Sequence, residues 1–120
     1  VVSMVSEFDM YPYVKERLRK RYPASEGWII KHRERRENYE PDFVVERRVS
    51  DGKIERVIVE VKAVCKVTQE HIDQINRYAR NLAGLNVRII KKILVVPSYA
   101  DTSIVPPDIE KMYLRKFYCE

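Results

Sequence analysis

Asp42, Glu60 and Lys62 are the residues of this 120-residue chain whose types and spacing could do chemistry. Asp42 follows Pro41, whose fixed φ suits an extended backbone, and opens the run Phe43 to Val49, which reads as a strand. Ser50-Asp51-Gly52-Lys53 supplies turn residues, and Ile54 to Val64 forms a second strand dense in β-branched side chains. Alternation along that strand puts Val57, Val59 and Val61 on one face and Ile58, Glu60 and Lys62 on the other. Valine-rich runs mark strands covered on both faces, so Glu60 and Lys62 are expected in a largely dry place. Charges are seldom buried without a partner, a metal or a function. The plainer reading is a Glu–Lys pair on an exposed strand face, with Asp42 as a strand-entry residue.

Two carboxylates within reach of one another repel unless a cation lies between them. Hard oxygen ligands select Mg²⁺ or Mn²⁺, with waters completing the shell and the Val61 carbonyl as a further ligand. Such a metal lowers the pKa of bound water and neutralises charge in an in-line displacement at phosphorus. Lys62 beside it would orient the attacking water or stabilise developing negative charge. No serine or cysteine nucleophile is required.

The elements that must position these residues follow from periodicity. Met10, Val14 and Leu18 recur at helical spacing within Ser6 to Tyr22, with Tyr11 and Tyr22 flanking the stripe and a basic opposite face. Pro12 either takes the first helical position or lies inside a helix that starts earlier. Under the earlier start Glu7 shares the stripe with Val14 and Leu18; under the later one it is a loop acid. Pro23 ends the helix, and Trp28-Ile29-Ile30 begins a strand reaching His32 or Arg33. Arg33 to Glu40 is charged and aperiodic, a loop or frayed extension. Thr68 is a good N-cap for a helix from Gln69 to about Leu82, closed by Gly84, with Ile72, Ile75, Ala79 and Leu82 as its core stripe. Gln74 and Tyr78, one turn apart, lie together along the edge of that stripe. Val87 to Val96 is a further strand stopped by Pro97, and Asp101 to Pro107 is a loop. Beyond it, either Asp108 caps a short helix through Lys116 or Met112 to Cys119 is a strand. The order α-β-β-β-α-β predicts an α/β sandwich, a mixed sheet flanked by helices.

Composition bounds the reading without deciding it. A hydrophobic fraction of 45% with 34% charged residues describes one globular domain across residues 1–120. Residues 1–5 stand apart from that domain, because Val1-Val2-Ser3 before Met4 looks like a cloning remnant or a non-standard start. No apolar run reaches the roughly 20 residues that cross a bilayer, and no signal peptide is read, so no membrane role is expected. Net charge of +5 suits a polyanionic partner, with basic clusters at Lys15 to Arg21, Lys31 to Arg36, and Arg47-Arg48. Cys65 and Cys119 show no zinc-type spacing and make no disulfide framework, so a reduced, cytoplasmic protein is expected. Three glycines and no glycine-rich phosphate loop argue against a small-molecule enzyme.

Pro41-Asp42 followed across a hairpin by Glu60-Val61-Lys62 resembles the PD-(D/E)xK, or restriction-endonuclease-like, nuclease superfamily. Gln74-Ile75-Asn76-Arg77-Tyr78 resembles the Gln-x-x-x-Tyr motif of its RecB-like branch. The resemblance spans about Glu7 to Pro97 and implies a restriction-endonuclease-like core. It further implies Asp42 and Glu60 as metal ligands, Lys62 as catalytic, and Gln74, Tyr78 and a first-helix acid, Glu7, as accessory or DNA-binding. His71, near the same edge, could touch DNA. A Mg²⁺- or Mn²⁺-dependent DNA nuclease, structure-selective or weakly sequence-specific and able to act as a homodimer, is therefore expected. A binding module of the same fold that has lost catalysis is the alternative.

Overall fold

A computed structural model of the chain describes residues 6–33 and 40–120. It is an α/β structure: helices α1 (Glu7–Arg21) and α2 (Gln69–Leu82) flank a sheet of β1 (Ile29–His32), β2 (Phe43–Arg48), β3 (Ile54–Val61), β4 (Val87–Ser98) and β5 (Ile109–Tyr118). The strands lie in chain order, β1 to β3 antiparallel and β3 to β5 parallel, so the sheet is mixed. One apolar layer joins Met10, Val14 and Leu18 of α1 to Val57, Val59 and Val61. The opposite layer joins Ile72, Ile75 and Tyr78 of α2 to Ile58, Leu94 and Val96. β3 is therefore covered on both faces, as its valine-rich run predicts.

The first helix takes the earlier of its two starts. Ser6 precedes it, the Ser6 N–H donates to Asp9 Oδ2 at 2.9 Å, and Pro12 is interior. A proline there deprives the Phe8 carbonyl of its partner. Phe8 and Pro12 are both exposed, so water can serve the carbonyl instead. Acids in the first turn and Arg19, Lys20 and Arg21 in the last match the helix dipole.

Several other boundaries move for identifiable reasons. The hairpin turn is a short 3₁₀ stretch, Ser50–Gly52, in which Asp51 and Gly52 hold φ of 63° and 71°. Asp tolerates that left-handed region and Gly adopts it freely, which accounts for the dipeptide there. Gly84 does not close α2; Ala83 is the C-cap, and Gly84 exchanges two hydrogen bonds with Val87 to begin β4. Nor does Pro97 stop β4. It lies beyond Val95, the last β4 residue paired with β3, so its missing N–H falls where the ladder on that side ends. The ladder to β5 shifts only after it.

The last segment is a strand and not the short helix. Met112 and Leu114 are buried while Lys111, Tyr113 and Arg115 are exposed, a period of two. The cysteines are not reduced: Cys65 and Cys119 form a disulfide with Cα atoms 5.6 Å apart. Folding brings the loop after β3 to the end of β5, a proximity that 54 residues of separation hide. Among the described residues no helix is long and apolar enough to cross a membrane.

Candidate active site at the open end of the hairpin

The β2–β3 ladder ends with Phe43 opposite Val59, and beyond it side chains replace backbone partners. The Asp42 N–H donates to Glu60 Oε1 at 3.0 Å, and the Val61 N–H donates to Asp42 Oδ2 at 2.7 Å. Each carboxylate is thus held by a main-chain donor from the other strand, and the two are locked side by side. Arg33 N–H donates to the Asp42 carbonyl at 3.0 Å, tying this corner to the end of β1. Asp42 and Glu60 are only 7% and 3% exposed and are the buried polar residues of the described chain.

Lys62 follows the strand directly. Its N–H donates to the Val95 carbonyl at 2.9 Å, which carries the sheet geometry one residue further. Its ammonium lies 3.5 Å from Glu60 Oε2, with the side chain 11% exposed. The three residues singled out by type and spacing are therefore brought together.

Electrostatics in this corner are strained. Burial pushes the Glu60 carboxyl up to about 8, and its hydrogen bond to Asp42 and the Asp42 charge add to the rise; Lys62 opposes it. Burial also raises the Tyr78 phenol, with the charge of Glu60 the next cause. His71 is held below its usual value, first by burial and then by the Lys62 ammonium, while Glu70 and Glu7 pull the other way. Tyr78 thus feels the charges of the carboxylate pair, and His71 that of the Lys62 ammonium beside it.

Tyr78 is more deeply set than an edge residue. It is 2% exposed, packed in the α2 layer, and its hydroxyl accepts from Gln74 Nε2 at 3.0 Å. His71 Nδ1 accepts the Thr68 N–H at 3.1 Å, so that nitrogen serves the start of α2. No family model, curated protein or solved structure matches this chain. What the corner can do must be argued from its own groups.

Its donor set fits a hard divalent cation that keeps much of its water. Asp42 and Glu60 are two carboxylates already in one place, and each has lone pairs beyond those taken by the protein donors. Mg²⁺ is commonly bound through one or two carboxylates, with waters and substrate phosphate filling the shell. An all-protein cage is absent: among the described residues no three His, Cys, Asp or Glu side chains gather into a metal-holding group. Glu7 heads α1 and is half-buried, but it does not make such a third acid. Glu16 is exposed and lies 3.9 Å from Lys20.

α1 sends Tyr11 to the carboxylates. Its hydroxyl donates to Asp42 Oδ1 at 2.7 Å, and its ring packs edge-on to His32 and Phe43. Tyr11, Phe8, Lys15 and His32 line an open cleft of about 440 Å³, and Tyr11 links its wall to Asp42. The sequence signal was a tyrosine beside a helical core stripe, since a buried phenol needs a polar partner.

The basic clusters are spread unevenly about this corner. Arg33 adjoins Asp42 and forms an ion pair with Glu40 at 2.8 Å. Arg35 and Arg36 lie outside the described residues. Arg47 and Arg48 are at the far end of the hairpin, four and five ladder positions or roughly 14 and 17 Å from Phe43. Arg47 is engaged with Glu55 and covers the Trp28 ring.

Proposed function

We propose that this chain is a Mg²⁺- or Mn²⁺-dependent nuclease of the PD-(D/E)xK kind, hydrolysing phosphodiester bonds in DNA. The observation that carries the proposal is the mutual clamp of two buried carboxylates at the end of the hairpin, with Lys62 beside them. Evolution has little structural reason to force two carboxylates together in a dry corner, because their repulsion and desolvation destabilise the fold. A site that must hold a cation supplies that reason. The α-β-β-β-α-β order and the Gln74–Tyr78 pair agree with a restriction-endonuclease-like core.

In this reading Asp42, Glu60 and the Val61 carbonyl hold the cation. When bound, it supplies an acidified water and charge neutralisation at the phosphoryl group. Lys62 orients the attacking water and offsets charge developing on phosphate oxygens. Tyr11 fixes the rotamer of Asp42, Gln74 and Tyr78 close the α2 side, and Glu7 is accessory, its charge felt at His71. Among the described residues the corner has no base-reading element of a familiar kind, which favours structure-selective or weakly specific cleavage, with a homodimer as one source of selectivity.

The test is incubation with Mg²⁺ or Mn²⁺ and a panel of duplex, single-stranded, flapped and four-way-junction DNA. The parent should cut at least one substrate, and Asp42→Ala, Glu60→Ala and Lys62→Ala should each lose about 10²-fold or more of the rate. Variants that cut as fast as the parent would refute the site. The alternative, a catalytically inactive DNA-binding module of the same fold, is opposed by the intact set of Asp42, Glu60 and Lys62. Under it the parent retains DNA but cleaves nothing with either metal.

A further inference from the structure

We propose that the β5 edge carries a second binding surface, a track for a single nucleic-acid strand. β5 is an outer strand of the sheet, and two open grooves meet along it, sharing Ser98, Tyr113 and Arg115. The first, of about 630 Å³, lies between β5 and the last turns of α1. Its cations include Arg17, Lys20, Arg21, Lys111 and Arg115, and Lys91 joins them through Glu110. Against those six stand Glu110, engaged by Arg21 and Lys91, and Glu16, near Lys20. Four positive charges remain on this one strip, set against a formal net charge of +5 for the whole chain.

The second groove, of about 690 Å³, adds aromatic surface: Tyr99, Tyr113 and Tyr118 line it, 84%, 37% and 57% exposed. Tyr99 is held at φ 63°, a left-handed conformation that a bulky residue rarely adopts, and it presents its ring to solvent. Cations that follow a backbone, beside flat rings for successive bases, are the combination that binds single strands without sequence preference. A lipid surface would call for exposed aliphatic anchors, whereas the exposed apolar residues lining this strip are tyrosines.

Geometry links the strip to the carboxylate corner. β3, β4 and β5 run parallel, so Ser98 and Tyr118 lie at the same end of the sheet as Glu60 and Lys62. Val61, Val95 and Met112 form one cross-strand row, which puts β5 about 10 Å from β3. A strand following the groove from Lys20 toward Tyr118 is led to that end.

The experiment is fluorescence anisotropy of a labelled pyrimidine oligonucleotide of about 12 nucleotides with the whole chain, in EDTA, across a salt series. Tyr99→Ala with Tyr118→Ala should weaken binding by about 5- to 150-fold per stacked base, while Tyr99→Phe with Tyr118→Phe keeps parental affinity. Lys111→Ala with Arg115→Ala should weaken it and make the salt slope shallower by about 1.4. Lys53→Ala with Arg88→Ala removes the same charge at the opposite end of the sheet and should stay within about twofold of the parent. Equal loss in that control, indifference to the tyrosine changes, or capture of anionic-lipid vesicles in place of the oligonucleotide would each overturn the proposal. Cleavage plays no part in the assay, so its result is separate from the reading of Asp42, Glu60 and Lys62.

Discussion

Replacing Glu60 by Gln should make the metal-free protein more stable at pH 8 and no more stable at pH 5. Folded Glu60 keeps its proton to about pH 8, whereas the ordinary carboxyl value is 4.5. Between those values the folded state binds more protons than the unfolded state, so stability falls as pH rises. The favourable contribution is complete below pH 4.5 and is lost as pH climbs through about 8. At about 1.36 kcal/mol per pH unit, the gap sets a ceiling near 5 kcal/mol. Local relaxation and water entry reduce what a buried charge costs in practice, so about 2 kcal/mol is the expected difference.

Gln reproduces the shape of the protonated carboxyl and still accepts the Asp42 N–H, so parent and variant should unfold alike at pH 5. In EDTA at pH 8 the variant should melt higher, by on the order of 10 °C for a chain of this size. Mg²⁺ or Mn²⁺ at about 100 times its dissociation constant should then restore about 2.7 kcal/mol to the parent alone. Urea melts at both pH values, with and without metal, measure all of this. If parent and variant lose stability in parallel from pH 5 to 8, the carboxylate pair is not under the electrostatic pressure argued here.

Tyr11→Phe removes the donor to Asp42 Oδ1 and leaves a buried carboxylate oxygen short of a partner, which should cost about 1.5–3 kcal/mol in urea unfolding. A change below about 0.5 kcal/mol would mean that Asp42 does not depend on the phenol. Reducing the Cys65–Cys119 disulfide frees a loop spanning 54 residues, and loop-closure entropy puts the loss near 4 kcal/mol. Thermal unfolding of Cys119→Ser beside the parent, with and without a dithiol reductant, checks it; the variant should be indifferent to reductant.

The hairpin, the second helix and the convergence of Asp42, Glu60 and Lys62 were legible because each rests on local period and parity. Strand alternation alone places Glu60 and Lys62 on one face, and a turn at Ser50-Asp51-Gly52 alone brings Asp42 opposite. What sequence could not settle was decided by contacts distant in the chain. Pro12 is accepted inside α1 because its side of the helix faces solvent. Pro97 is accepted inside β4 because the ladder to β3 ends at Val95. Residues 109–118 become a strand because β4 offers a free edge to pair with, and their own pattern was readable either way. The Cys65–Cys119 bond and the Tyr11–Asp42 hydrogen bond span 54 and 31 positions, and neither leaves a spacing signature.

The two ends of the hairpin are built to different rules, and the difference argues for where function lies. At the tip, Arg47 pairs with Glu55 and Arg56 with Glu46, beside a solvated turn. The first pair is partly exposed and contributes little; the second is more buried, but it sets opposite charges together and needs no added cation. At the open end, Asp42 is fixed through Arg33, just after β1, and Tyr11 on α1, and Glu60 through the Asp42 main chain. The backbone just after Lys62 is anchored as well: Asp101 N–H donates to the Cys65 carbonyl at 2.7 Å, Val67 N–H to the Asp101 carbonyl at 2.9 Å, and the disulfide holds Cys65 to the end of β5. Rigid anchorage is what a site needs when its groups must stay within a fraction of an ångström of a working geometry. A sheet seeking only stability would have put apolar side chains in that corner, as it does one residue away at Val59 and Val61. Keeping two repelling acids there, and tying them down from both sides, makes sense if the corner is shaped for a cation and for the phosphate it would bring.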